Sequence, residues 1–126
     1  MSNRVIKFRA FSKATRKMRY DVVPMGKSFL WGDTGISGEH AELDPFNYEL
    51  MQFTGLLDSR GKEIYHKDLF RDSTGTSIVE WNEKFASWCL NRPGWMFDHF
   101  FGEAVNPAGG EVVGNLYQNP ELLGGK

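Results

Sequence analysis

His66 and Asp68 are the residues whose types and spacing come closest to catalytic chemistry. They lie two positions apart on a segment predicted to be extended, so both side chains can face the same side of a strand. A histidine oriented by a carboxylate can act as a general base. The sequence places no recognisable Ser or Cys nucleophile beside them. We therefore predict that the protein has no catalytic residues and is not an enzyme.

A metal or phosphate site is the next alternative. Cys89, His99 and His40 are chemically suited to zinc, but they lack the close paired spacing of structural zinc sites. A lone Cys beside Trp88 is more typical of a buried apolar residue. The run Asp58–Gly61 lacks the Gly-rich loop and the Lys-Ser/Thr ending of a phosphate loop and instead predicts a turn, in which Gly61 can adopt a positive φ without steric cost. We predict no metal and no cofactor.

The charge of the chain is unevenly distributed. Residues 1–27 hold eight of the fifteen Lys and Arg and one acid, Asp21, whereas the rest holds seven basic and fifteen acidic residues. Two interpretations stay open: the basic end pairs with the acidic remainder or is solvated beside it, or it attracts nucleic acid. In the second, Phe11 or Tyr20 would stack on bases. The predicted phosphate contacts are Arg4, Lys7, Arg9, Arg16, Lys17 and Arg19.

The basic residues lie on a predicted β-hairpin. Apolar and polar residues alternate from Ile6 to Phe11 and again from Met18 to Val22, and Pro24 is predicted to end the second strand. This alternation places Ile6, Phe8 and Ala10 on one face and Lys7, Arg9 and Phe11 on the other.

The remaining elements are short strands separated by turn signals. Asp44-Pro45 is a candidate helix cap, and residues 95–101 are compatible with one helical turn or a bulged connection. The pattern predicts a mainly β chain, a small barrel or a sandwich-like sheet. The predicted strands cover residues 28–31, 48–53, 62–65, 68–71, 76–81, 85–90 and 111–117, with residues 76–81 and 85–90 forming a second hairpin through Asn82 and Glu83.

The whole chain sets the remaining limits. Its 126 residues fit a single domain, residues 1–126. One cysteine cannot form an internal disulfide, the N-terminus lacks an apolar signal core, and no segment approaches a membrane span. We expect a soluble, cytoplasmic protein.

Three segments of the sequence form a set of motifs. They are Ile6-Lys-Phe-Arg-Ala10 followed by Lys17-Met18, the run from Leu50 to Tyr65 continuing to Asp68, and the run from Glu111 to Leu123. Together these segments resemble the YopX family of phage and prophage proteins. They occur in the family's order, with Trp81 where a Val-x-Trp strand is expected.

The chain departs from the family pattern at two places. Phe11 stands where Trp is usual, and His66-Lys67-Asp68 stands where the family reads Glu-Gly-Asp. The absence of Gly at position 67 predicts a turn with a less demanding backbone conformation. The resemblance implies a compact barrel similar to the SH3 type and a setting in a phage or prophage, acting in the bacterial cytoplasm. It implies no catalytic residues.

The second half of the chain is rich in aromatic residues beyond what a small barrel must bury. An exposed aromatic patch would mark an interface with a protein partner or a second copy of the chain. The predicted partner surface comprises Trp95, Phe97, Phe100 and Phe101. A non-catalytic binding module is therefore the first hypothesis, and nucleic-acid binding through the basic hairpin is the alternative.

Overall fold

Strands dominate the secondary structure. The computed structural model describes residues 5–25, 28–31, 41–43 and 46–124. It confirms a mainly β chain with a curled half-barrel sheet and little helix. The described helices are a 3-10 turn, Pro107–Gly109, and one short α-helix, α1 (Glu121–Gly124). Within the described ranges, no helix is long and apolar enough to cross a membrane.

The chain divides into two units at Phe53/Thr54, and the prediction of a single domain stays a prediction. The first unit is an antiparallel sheet with the strand order β4-β3-β2-β1-β5. Its strands are β1 (Phe8–Ser12), β2 (Met18–Met25), β3 (Ser28–Trp31), β4 (Ala41–Leu43) and the first part of β5 (Tyr48–Leu57).

The β1–β2 hairpin confirms the predicted N-terminal hairpin, but β2 does not end at Pro24. It continues to Met25, with Pro24 paired to Phe29 of β3. The pairing with β1 extends only to Val22. Pro24 therefore has one strand neighbour rather than two, and its missing N–H need not cost a ladder hydrogen bond.

The alternation along β1 does not separate buried from exposed residues. Arg9 and Phe11, which were assigned to the face opposite Ala10, are 4% and 2% exposed, and Ala10 is fully buried. The register shifts between Phe8 and Arg9, as at a β-bulge, and β1 pairs with β2 along one edge and with β5 along the other. All residues from Arg9 to Ser12 are buried, so both faces of this part of the strand are covered.

The second unit contains a five-stranded antiparallel sheet with the order β10-β9-β8-β7-β11, and β6 lies beside β5. Its core contains Ile64, Phe70, Val79 and Leu90. The strands are β6 (Glu63–Tyr65), β7 (Asp68–Asp72), β8 (Gly75–Asn82), β9 (Ser87–Asn91), β10 (His99–Phe100) and β11 (Glu111–Asn115).

Three predictions for this unit differ from the structure. Phe85 lies in the β8–β9 turn rather than in a strand, and residues 99–100 form β10, where one helical turn or a bulged connection was predicted over residues 95–101. The last strand ends at Asn115, because the Asn115 side-chain oxygen accepts hydrogen bonds from the N–H groups of Tyr117 (3.1 Å) and Gln118 (2.9 Å). These bonds form a turn that leads into α1. The candidate cap at Asp44-Pro45 lies outside the described residues.

Candidate functional site

Phe85 projects from the turn between β8 and β9. The Asn82 side chain accepts the N–H of Phe85 at 3.0 Å, and the Ser87 hydroxyl donates to the Phe85 carbonyl at 3.1 Å. Ala86 closes the turn with a φ of 49°. The Phe85 side chain is 61% exposed although its backbone is held on both sides. The turn therefore presents a large apolar ring to solvent from a fixed position.

Phe85 forms one wall of a groove, which we call the aromatic groove. Its ring meets that of Phe100 edge-on, with centroids 5.5 Å apart. Phe101 packs on the core and meets Phe70 edge-on at 5.6 Å. The volume of the groove is about 660 Å³, enough for one or two side chains of a partner. It is lined by Phe85, Ser87, Phe100, Phe101, Gly102 and Glu103.

The segment before β10 presents two more apolar side chains. Met96 is 87% exposed and Phe97 is 75% exposed. The segment is held by Asp98, whose carboxylate accepts from the amides of Asn82 (2.9 Å) and Asn91 (2.8 Å). Those hydrogen bonds outweigh partial burial and lower the pKa of Asp98 below its usual value. Met96 and Phe97 are thus exposed on a segment that is fixed to β8 and β9.

The four residues predicted as a partner surface differ in exposure and packing. Phe97 is exposed and Phe100 lines the groove, whereas Phe101 and Trp95 pack against the core. The Trp95 ring stacks on His99 with centroids 3.9 Å apart. Sequence reasoning missed the contribution of Phe85, because it placed this residue within a strand, where its ring would be expected to pack against the sheet.

The predicted phosphate contacts on the basic hairpin differ in their exposure and in their contacts with aromatic rings. Among the predicted phosphate contacts, Arg9 is buried, Lys7 lies over the Phe53 ring at 5.0 Å, and Arg16 lies 5.6 Å from the Phe11 ring centroid. Lys17 is exposed. Arg19 is half-buried, and Arg4 lies outside the described residues.

The two predicted stacking residues also differ. Phe11 is only 2% exposed and Tyr20 is 49% exposed. Nucleic-acid binding stays a prediction, and the exposed residues that can carry it are Tyr20, Arg16 and Lys17.

The motif residues Asp58 and Asp68 hold backbone turns. The Asp58 carboxylate accepts from the N–H groups of Arg60 (2.8 Å), Lys62 (2.9 Å) and Val112 (2.8 Å). The Asp68 carboxylate accepts the N–H of Tyr65 at 2.7 Å. Gly61 adopts a positive φ of 78°, which glycine tolerates without steric cost. Both carboxylates are at least 95% buried and engage backbone donors.

The family that these motifs resemble is also found when the chain is compared with known proteins. The family model described as YopX protein matches residues 7–124, nearly the whole chain. The chain belongs to the YopX family. Its fold is similar to the crystal structure of protein EF1440 from Enterococcus faecalis, with a TM-score of 0.66 and 21% sequence identity over 96% of this chain and 99% of that one. No curated protein matches the sequence.

The departure from the YopX pattern at residue 67 has a structural consequence. Lys67 has a φ of 70°, so the expectation of a less demanding turn was wrong. A side chain at such a φ costs about 1 kcal/mol relative to Gly. Neighbouring hydrogen bonds fix the conformation: the Lys67 N–H donates to the Val79 carbonyl, and its carbonyl accepts from Leu116, both at 2.8 Å.

The Lys67 side chain forms a polar cluster with His66 and Glu80. Lys67 Nζ donates to the two Glu80 carboxylate oxygens at 2.8 and 2.9 Å, and His66 Nε2 donates to Oε1 at 3.0 Å. Burial raises the pKa of Glu80, but the hydrogen bonds from His66 and Lys67 outweigh it and hold that pKa below 4.5. His66 thus has a carboxylate partner in Glu80, on the neighbouring β8, which the sequence spacing did not predict.

Replacing Glu80 by glutamine is expected to lower the free energy of unfolding by about 1–2 kcal/mol, because Lys67 and His66 lose a charged acceptor in a half-buried position. Urea titration at neutral pH measures the effect. Glu83→Gln, on the exposed β8–β9 turn, is the control and should leave stability unchanged. Equal stability of the Glu80→Gln variant and the wild type would contradict a stabilising role for the cluster.

Cys89 is fully buried in β9, as predicted for an apolar role. Its thiol lies 3.5 Å from the Glu80 carbonyl. Burial, followed by the hydrogen bond and charge of Asp98, raises the pKa of Cys89 to about 12. A thiol with such a pKa is a weak nucleophile at neutral pH. Across residues 5–25, 28–31, 41–43 and 46–124, no group of three His, Cys, Asp or Glu side chains could hold a metal ion.

Proposed function

We propose that the protein is a non-catalytic binding module that takes up a segment of a protein partner in the aromatic groove. The observation that carries this proposal is the exposure of Phe85 beside Phe100 on a backbone fixed by hydrogen bonds. Exposing such a ring is unfavourable in water, and apolar side chains in concave, pre-formed sites are typical of interaction surfaces. Met96 and Phe97 enlarge the apolar area available to a partner.

The chemistry of the groove favours a particular kind of segment. Its floor and walls are aromatic, so a large apolar side chain would bury the most area there. Glu103 lies at the groove, is exposed, and makes no ion pair with any described residue. A Lys or Arg next to the apolar residue of the partner would complement it. The preferred ligand is therefore a peptide segment with an apolar residue next to a basic one.

Two further observations support the non-catalytic part of the proposal. Asp58 and Asp68 are occupied by backbone donors and the Cys89 thiol has a raised pKa, which supports a non-catalytic role. The setting that the resemblance implies, a phage or prophage protein in the bacterial cytoplasm, forms part of this proposal.

Selection from a displayed peptide library tests the groove directly. Peptides bound by the wild-type chain should be enriched in an aromatic or aliphatic residue beside Lys or Arg. Phe85→Ser and Phe97→Ser should each weaken binding of a selected peptide by about tenfold or more, as expected for anchors at an interface. Phe46→Ser is the matched control, because Phe46 is 85% exposed but belongs to the first unit.

Three results would count against the proposal. The first is a selection that returns no common sequence. The second is a peptide that binds Phe85→Ser and Phe97→Ser as tightly as the wild type. The third is self-association of the wild type in sedimentation velocity that both variants abolish, because a second copy of the chain would then occupy the surface instead of a foreign segment.

A further inference from the structure

A second concave site in the same unit has no role in the proposed function. It lies between the β7–β8 turn, the segment after β9, and α1, which packs against β8. Its volume is about 520 Å³. Two arginines, two threonines, one glycine and two leucines line it: Arg71, Arg92, Thr74, Thr76, Gly75, Leu122 and Leu123.

Arg92 is held rigidly at this site. Its Nε and Nη2 donate to the Ser77 hydroxyl at 3.1 and 2.8 Å. Nη1 donates to the Thr74 carbonyl at 2.9 Å and Nη2 to the Thr74 hydroxyl at 3.1 Å. The guanidinium also lies 4.3 Å from the Trp95 ring centroid. These bonds use four of the five N–H groups of Arg92 and leave one Nη1–H available.

Gly75 permits this arrangement. A Cβ at position 75 would lie 3.2 Å from Arg92 Nη1, and the φ of Gly75 is 128°, a conformation that L side chains rarely adopt. The hairpin turn can therefore approach the guanidinium closely only with Gly at this position.

Neither arginine is neutralised by direct contact with a carboxylate. Arg71 is exposed, and its Nε donates to the Thr76 hydroxyl at 3.3 Å. Across the described parts of the chain, neither Arg71 nor Arg92 forms an ion pair. The Asp72 carboxylate accepts from the Thr74 hydroxyl at 2.6 Å and so reaches Arg92 only through Thr74. Two positive charges therefore share one concave site.

Glu111 is the cross-strand partner of Arg71 in β11. It pairs with Arg60, with Oε2 3.3 Å from Nε. The Nη groups of Arg71 make no hydrogen bond within the described residues.

We propose that this site binds an oxyanion attached to a small apolar group. The Nη groups of Arg71 and the remaining Nη1–H of Arg92 are planar, permanently charged donors suited to a carboxylate or phosphate. Leu122 and Leu123 supply apolar contact for the rest of the ligand. The shared chemistry is the oxyanion, which can belong to an organic carboxylate or a phosphate monoester.

The experiment titrates hexanoate, hexyl phosphate and hexanol into the full chain and follows ¹H–¹⁵N spectra. Both anions should produce saturable shifts at Gly75 and the Trp95 indole, and hexanol should not. Arg71→Gln should weaken anion binding about tenfold or more, as expected when a charged hydrogen-bond donor is lost. The ratio of the two anion affinities identifies the preferred oxyanion.

Arg60→Gln is the matched control, because it removes one exposed positive charge outside the site. It should leave anion binding unchanged. Arg71 is exposed, so Arg71→Gln is expected to fold, and its spectrum checks this. The proposal is overturned if hexanol binds as well as hexanoate, if neither anion gives saturable shifts, or if Arg71→Gln and Arg60→Gln weaken binding equally.

Discussion

The Asp58→Ala variant should be less stable than the wild type by about 3 kcal/mol. Asp58 is 5% exposed, and its carboxylate is the acceptor for three backbone N–H groups. Each buried donor left without an acceptor costs about 1–3 kcal/mol. Arg60 and Lys62 lie on an exposed turn and can bind water instead, whereas Val112 is half-buried, which keeps the total near the stated value.

The effect is measured as the difference in free energy of unfolding from urea titration at neutral pH. Asp72→Ala is the matched control, because Asp72 also accepts a backbone N–H at a turn, that of Thr74 at 2.9 Å, but in an exposed position. It should cost less than about 1 kcal/mol. Similar losses of unfolding free energy in the two variants would show that the Asp58 contacts stabilise the fold no more than the exposed Asp72 contact does.

The Asp58 prediction has a pH dependence of definite sign. Burial raises the pKa of Asp58, but the hydrogen bonds from Val112, Lys62 and Arg60 outweigh it and hold that pKa below 3.8. A carboxyl group with a lowered pKa in the folded state stabilises the fold above its unfolded pKa and loses that contribution as the pH falls through its folded pKa. The stability difference between wild type and Asp58→Ala should therefore be constant above about pH 5 and shrink below pH 4.

Local signals in the sequence predicted the turns and most strands of the second unit. Asp58 and Gly61 were sufficient to predict the turn after β5, because Asp accepts nearby backbone N–H groups and Gly tolerates positive φ. The bond from Val112 to Asp58 joins residues 54 positions apart. No local pattern encodes such a contact, and so the connection between this turn and β11 appears only in the structure.

The difference between local signals and contacts of distant residues also explains the predictions that were wrong. Alternation along β1 is typical of a strand that is buried on one face, but Arg9 and Ala10, on opposite faces, are both buried. The sequence suggested Asp68 as the carboxylate partner of His66, because the two residues are close in the chain. The carboxylate that His66 contacts is instead that of Glu80 in β8. Periodicity shows which side chains share a face, whereas packing in the folded chain decides which faces are buried.

The two candidate sites also depend on contacts that the sequence does not reveal. Aromatic content directed attention to residues 95–101, and the structure shows that Phe97 is exposed whereas Trp95 and Phe101 pack against the core. The proposed oxyanion site was not foreseen, because Arg71 lies in β7 and Arg92 follows β9, 21 positions later, and neither belongs to a charge cluster in the sequence. Sites assembled across a sheet give almost no signal in a single sequence.

Replacing Gly110 by alanine is expected to lower the free energy of unfolding by about 3 kcal/mol, the upper part of the range for overpacking. Gly110 is extended, with a φ of −155°, so the cost is steric and not conformational. A Cβ there would lie 2.5 Å from the Arg71 carbonyl oxygen and 2.6 Å from the ring of Phe70, which is fully buried. A backbone atom on one side and a packed core ring on the other leave little room for adjustment.

The neighbouring glycine provides the control for this prediction. A Cβ at Gly109 would meet only the Cβ of Asn106, at an ordinary 3.8 Å. Gly109→Ala should therefore change the unfolding free energy by less than about 1 kcal/mol, while Gly110→Ala loses several times as much. Thermal and urea unfolding of both variants measure this difference. Equal stabilities would mean that the start of β11 can move away from β7, and the close approach of Gly110 to Phe70 would then not be required for the fold.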